Sequence, residues 1–137
     1  MPNFDTLTVG TELPGRSFEP NNVSLFLYNA AIWNPHRIHY DETYTTEVEK
    51  HPGVVIDGPL QGDWLTQIVN DWLQEDGVLL EFEYSNRRAS HLGDRLTAGG
   101  RIIALDAARR EATIELDIRD KQGEVTTPGR ALVRLHR

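Results

Sequence analysis

Cysteine is absent from the chain. Its absence excludes disulfides, thiolate catalysis and cysteine-ligated zinc, and it fits a reducing compartment. No apolar run approaches the roughly 20 residues needed to cross a bilayer. The first residues, Met1-Pro2-Asn3-Phe4-Asp5, have neither the basic region nor the apolar core of a signal peptide, so a cytoplasmic location without membrane attachment is expected. Basic charge is also scarce. The 14 Lys and Arg against 21 Asp and Glu leave a formal net charge of −7, which argues against a general nucleic-acid binder. No repeat, linker or low-complexity tract breaks the 137 residues, so one domain over 1–137 is expected. With 39% hydrophobic and 26% charged residues the chain has the composition of a folded globular protein.

Residues 7–19 carry Gly10, Pro14 and Gly15 and read as irregular. Asn22 reads as the N-cap of a helix on which Val23, Phe26, Leu27, Ala30 and Ala31 recur at helical spacing. Trp33-Asn34-Pro35 ends it, because the residue before proline disfavours helical angles. His36 to Asp41 reads as a loop or extended segment, and Glu42 to Lys50 as one or two helical turns capped by Asp41. The strongest helix follows, with Gly58 as N-cap, Pro59 at its first position and Gln61 at its third. Leu60, Trp64, Leu65, Ile68, Val69, Trp72 and Leu73 form its apolar stripe, and Gly77 is the expected terminator.

Four strands are expected after it, at Val78–Tyr84, Asp94–Leu105, Arg110–Arg119 and Val125–Leu135. The short turns between them, Lys121-Gln122-Gly123 among them, imply antiparallel pairing. The fold class is α+β, a curved antiparallel sheet wrapped around one long helix. Such a sheet has open edges, so pairing with a second copy or a related subunit is expected.

The chemistry concentrates in Asn34-Pro35-His36-Arg37-Ile38-His39-Tyr40-Asp41. Two imidazoles, a carboxamide and a carboxylate suit acid–base work, for which histidine is the usual side chain. His36, His39 and Asp41 are also three potential metal ligands, but the segment supplies no fourth and is not a firm helix, so no metal is expected.

This segment, with Gly53-Val54-Val55-Ile56-Asp57-Gly58-Pro59-Leu60-Gln61 and Leu92-Gly93-Asp94-Arg95-Leu96-Thr97, resembles the MaoC-like hydratase/dehydratase family of hot-dog-fold proteins. The resemblance covers roughly residues 20–135. It implies a helix wrapped by a sheet, dimerisation through a continuous sheet, and a substrate acyl group carried as a thioester of coenzyme A or of acyl carrier protein. Coenzyme A is then part of the substrate, and no separate cofactor is implied. The implied reaction is reversible hydration of a trans-2-enoyl thioester to a 3-hydroxyacyl thioester. The family pairs an aspartate with a histidine five residues later. Here His39 takes the histidine position and Asn34 stands where the aspartate is expected, as in a similar acyl-dehydratase branch with an Asn-x-His-Arg-Ile-His-Tyr-Asp segment. Asp57 stands where the family often has histidine.

On this resemblance His39 is the expected base, Asn34 orients the water, and His36 shares the proton transfers. The N–H of Gly58 at the start of the long helix is the expected oxyanion donor. Tyr28 lines the acyl pocket or packs in the core. Arg37, Arg87, Arg88 and Arg95 are the candidates for binding the phosphates of coenzyme A. Two other functions compete: a non-catalytic subunit that completes a partner's acyl pocket, and a thioesterase using Asp57 or Asp63 to activate water.

Overall fold

A computed structural model describes residues 2–137; Met1 lies outside them. Five strands form one antiparallel sheet: β1 (Glu12–Phe18), β2 (Gly77–Tyr84), β3 (Leu96–Asp106), β4 (Glu111–Arg119) and β5 (Val125–Leu135), in the spatial order β1-β3-β4-β5-β2. Three helices join them: α1 (Asn22–Ala31), α2 (Glu42–Glu47) and the long α3 (Gly58–Leu73). The sheet curls around α3, which touches all five strands. This is the α+β arrangement expected.

Apolar side chains alternate along β4 and β5 and form the buried face of the sheet. Ala112, Ile114, Leu116 and Ile118 on one strand and Ala131, Val133 and Leu135 on the next are all buried. They meet the α3 stripe of Trp64, Leu65, Ile68, Val69 and Leu73. Trp64 stacks on Phe18 with ring centroids 4.3 Å apart, which ties α3 to an edge strand. Trp72 is only partly buried at the rim of this core.

The residues read as irregular contain β1. Pro14 and Gly15 sit at a register shift between Leu13 and Arg16 on an edge strand, where a missing N–H costs no ladder bond. A Cβ on Gly15 would stand 3.0 Å from the Ala98 carbonyl oxygen, so the close approach of β1 to β3 favours glycine. Helix boundaries also move by a residue or more. Asn21, not Asn22, caps α1, accepting from Ser24 N in a reciprocal capping box. Asp57, not Gly58, occupies the N-cap position of α3, so Gly58 is its first residue, Pro59 the second and Gln61 the fourth. The terminator is Gln74, at φ +49°, whereas Gly77 opens β2. A Cβ on Gly77 would lie 2.6 Å from the Arg134 carbonyl oxygen, which explains the glycine there by strand packing rather than helix ending.

The largest departure is in α1. Its expected apolar face points outward: Val23, Phe26 and Leu27 are exposed, and Leu25 and Asn29 are the buried residues. Trp33, just past the helix, is 91% exposed. No helix among the described residues is long and apolar enough to cross a membrane.

Candidate active site

The segment expected to be a loop is folded tightly. Asn34 Oδ1 accepts from the His36 N–H at 3.1 Å, and the Asn34 N–H donates to the Asn29 carbonyl at 3.0 Å. His36 then caps a single 3₁₀ turn, Arg37–His39, with its Nδ1 accepting from Ile38 N at 3.4 Å. Asp41 caps α2, as expected, accepting from Tyr44 N at 3.0 Å. The Arg37 carbonyl takes the Asp41 N–H and the Ile38 carbonyl takes the Val55 N–H, which pins the turn to the chain entering α3.

That pinning aims His39. Its Nδ1 stands 2.8 Å from the Val55 carbonyl oxygen. A carbonyl only accepts, so Nδ1 carries the proton in the neutral ring and Nε2 holds the free lone pair. Nε2 makes no hydrogen bond among the described residues. The His39 side chain is 11% exposed. The His36 ring meets it edge-on at 5.8 Å between centroids.

A carboxylate also stands beside this imidazole. Asp57 is 0% exposed. Its Oδ1 accepts from Asn29 Nδ2 at 3.0 Å and lies 3.5 Å from His39 Nδ1. Asn29 Nδ2 donates as well to the Leu25 carbonyl at 2.8 Å. Asp57 Oδ2 and Asn29 Oδ1 have no partner among the described residues. Burial pushes the Asp57 carboxyl above the ordinary carboxylate range, against the pull of the Asn29 amide and of His39. Asn29 was not among the site residues expected from the sequence, and Asp57 entered there only as the water-activating carboxylate of the competing thioesterase reading. The available signal was an acidic residue closing the apolar run Val54-Val55-Ile56.

Because Asp57 faces inward, α3 begins without a side-chain cap. Pro59 has no N–H to offer, so the Gly58 N–H is left at the positive end of the helix dipole. Gly58 is hemmed in by Asn86, whose Cγ would be 3.1 Å from a Cβ placed there. Thr127 Oγ1 lies within hydrogen-bond distance of both Asn86 Oδ1, at 3.2 Å, and Gln61 Oε1, at 2.9 Å. Tyr28 is partly buried, and its hydroxyl donates to Asp63 Oδ2 at 3.4 Å. Burial, then Asp63 and Asp57, push its pKa up to about 12, so it stays protonated.

Beside these groups an apolar hollow of about 400 Å³ is lined by Phe26, Asn29, Ala30, Trp33, Asn34, Pro35 and Tyr40. It shares Asn29 with the Asp57 cluster. The arginines differ in how free they are. Arg37 holds Asp41 Oδ2 through Nε and Nη2 at 3.1 and 2.8 Å and lies over the Tyr44 ring. Arg88 bridges Asp120 and Glu124, both at 2.6 Å. Arg95 stands 3.8 Å from Glu19. Arg87 makes no ion pair among the described residues and lines a hollow of about 330 Å³ with Tyr84, Ser85 and Arg130. No cluster of metal-ligating side chains occurs among the described residues.

Known proteins share this architecture. The (R)-hydratase from A. caviae involved in PHA biosynthesis superposes with a TM-score of 0.86 over 95% of this chain and 98% of that one, at 20% identity. The fold is therefore the hot-dog fold. Two relatives are similar over shorter stretches. The mitochondrial hydroxyacyl-thioester dehydratase type 2 of Schizosaccharomyces pombe is 42% identical over 43 residues, 31% of this chain and 14% of the relative. The mesaconyl-C(4)-CoA hydratase of Chloroflexus aurantiacus is 44% identical over 45 residues, 33% of this chain and 16% of that protein. The matched stretches thus span about a sixth of the relatives' own lengths or less. The family model of the hydroxyacyl-thioester dehydratases type 2 matches residues 10–92, and the chain belongs to that family.

Proposed function

We propose that the protein is a hydro-lyase that adds water across the Cα=Cβ bond of an enoyl thioester and, in reverse, dehydrates the 3-hydroxyacyl thioester. The observation that carries this reading is His39, with Nδ1 committed to the Val55 carbonyl and Nε2 left as a free base at the start of α3. His39 Nε2 takes a proton from water while the water oxygen bonds to Cβ. The electron pair moves through Cα to the thioester oxygen, which the Gly58 N–H stabilises. The enolate then collapses, and Cα takes the proton back from His39, or from it by way of His36. Asn34 Nδ2 orients the water.

Arg87 is the best phosphate partner for a coenzyme A thioester, because it alone of the four candidate arginines has no carboxylate partner among the described residues. No cofactor beyond the substrate's own coenzyme A enters these steps. A homodimer, or a heteromer with another hot-dog subunit, is supported by the open edges β1 and β2 and the outward apolar face of α1. That open face also favours a second reading, in which a partner must cover the hollow before the site works. A thioesterase is disfavoured: Asp57 is sealed from water, and Asp63 is engaged by Tyr28.

The test is incubation of the purified protein with crotonyl-CoA and with a bulkier enoyl-CoA, following loss of the conjugated absorbance and release of free thiol. Hydration without thiol supports the reading. Thiol release makes the protein a thioesterase, and silence until a partner is added makes the site partner-dependent.

A further inference from the structure

We propose that Asp57 is the positioning carboxylate of His39, countering from 3.5 Å the positive charge that the imidazole gains when Nε2 takes a proton. This rests on the hydratase reading of the same site. Asp57 occupies the N-cap position of α3, where an aspartate ordinarily accepts from the first-turn amides. It makes no such bond. Its carboxylate turns inward instead, to Asn29 Nδ2 at 3.0 Å and to within 3.5 Å of His39 Nδ1. It thus gives up its structural role and sits fully buried with one oxygen unpartnered among the described residues. Burying a carboxylate so incompletely satisfied is costly, and folds retain such groups where function needs them.

The placement suits one step of the reaction. The Val55 carbonyl already fixes the tautomer, so Asp57 is not needed for that. When Nε2 takes a proton, the charge appears on a ring 3.5 Å from the carboxylate, in a medium that screens poorly. Asp57 has no exposed surface, so it acts through His39 and not on water or substrate. The other titratable groups near the pair are His36, with its ring 5.8 Å from that of His39, and Tyr28 on α1, which stays protonated and donates to Asp63. Neither supplies a negative charge to the imidazole.

Two measurements test this. In the first, Asp57→Asn is compared with the unaltered protein for hydration of crotonyl-CoA across pH and for thermal stability. The expected result is a kcat/KM lower by roughly tenfold or more with KM little changed. The acidic limb should move to lower pH, and Tm should be unchanged or higher. Retention of kcat/KM within twofold, or a fall in Tm with an unmoved acidic limb, overturns the proposal. In the second, the carboxyl carbon of Asp57 is followed by NMR through a pH titration of the unaltered protein and of His39→Gln. The expected result is a titration step in the unaltered protein that is missing in His39→Gln; the same curve in both overturns the proposal. The NMR result does not depend on turnover or on the folding of an Asp57 variant. A protein that hydrates no enoyl thioester therefore refutes the functional reading while the pairing is still decided.

Discussion

Val55 sets the chemistry of His39: its carbonyl oxygen, 2.8 Å from Nδ1, holds the ring proton on that side and leaves Nε2 unprotonated. The carbonyl belongs to the short segment that leads into α3. The His39 imidazole and the helix start are therefore fixed by the same stretch of backbone.

His39→Gln removes the proposed base while leaving a side chain that can still donate to Val55. The expected loss in kcat for crotonyl-CoA hydration is about 10²–10⁴-fold. The ring is partly buried but makes a single hydrogen bond, so Tm should fall by only a few degrees. Stopped-flow or steady-state absorbance with a parallel melting curve measures both, and turnover within tenfold of the starting protein would assign the base elsewhere.

The outward face of α1 predicts where chain-length preference arises. Phe26, Trp33 and Tyr40 line a hollow that shares Asn29 with the Asp57 cluster, and Trp33 packs on nothing that its removal would collapse. Trp33→Ser should raise KM for a long-chain enoyl-CoA by about tenfold or more, the scale of one lost apolar contact surface. It should leave crotonyl-CoA nearly unchanged. An equal effect on both substrates would place the acyl tail somewhere else.

Much of this frame was legible in the sequence. β5 is found at its expected boundaries and β4 to within a residue, because strict alternation over a half-buried surface admits one register. β1 was not, since Pro14 and Gly15 are loop signals that an edge-strand irregularity also uses. The helical period of Val23, Phe26 and Leu27 was real, but period alone cannot say whether an apolar face meets the core or a ligand. At the site, His39 stood out by its local motif. Asp57 did not, because its partner Asn29 lies 28 residues away and the contact exists only once α1 and α3 are packed. Asn34 stands where the resemblance implies a carboxylate, and the buried carboxylate beside His39 comes from Asp57 instead.

His91 makes stability depend on pH. Burial lowers its pKa; Asp94 opposes the shift and His51 adds to it, with its ring 5.8 Å away. Above about pH 6.5 the imidazole is neutral in both folded and unfolded chains and contributes no dependence. As pH falls below that value the unfolded chain takes a proton that the folded chain refuses, so stability drops until the depressed folded pKa is reached. The buried Nε2 has no hydrogen-bond partner among the described residues, so leucine can replace the ring without stranding a donor. His91→Leu should shrink the Tm difference between pH 7.5 and pH 5.5, and an undiminished difference would assign the acid sensitivity to other groups.

Gly58 is constrained by what stands over it. A Cβ there would come within 3.1 Å of Asn86 Cγ and closer still to its amide nitrogen, while Asn86 Oδ1 is within reach of the Thr127 hydroxyl. Alanine at 58 must therefore push aside either Asn86 or the first turn of α3, and a shift of that turn moves the N–H assigned to the thioester oxygen. Displacement of an oxyanion donor by about 1 Å is expected to cost roughly 10²-fold in kcat. Gly58→Ala should accordingly lower kcat far more than it raises KM. Adding Asn86→Ala removes the three nearest atoms that the new Cβ meets and should restore most of the rate. If Gly58→Ala keeps full turnover, or if the second change restores nothing, the Gly58 N–H is not the group that stabilises the enolate.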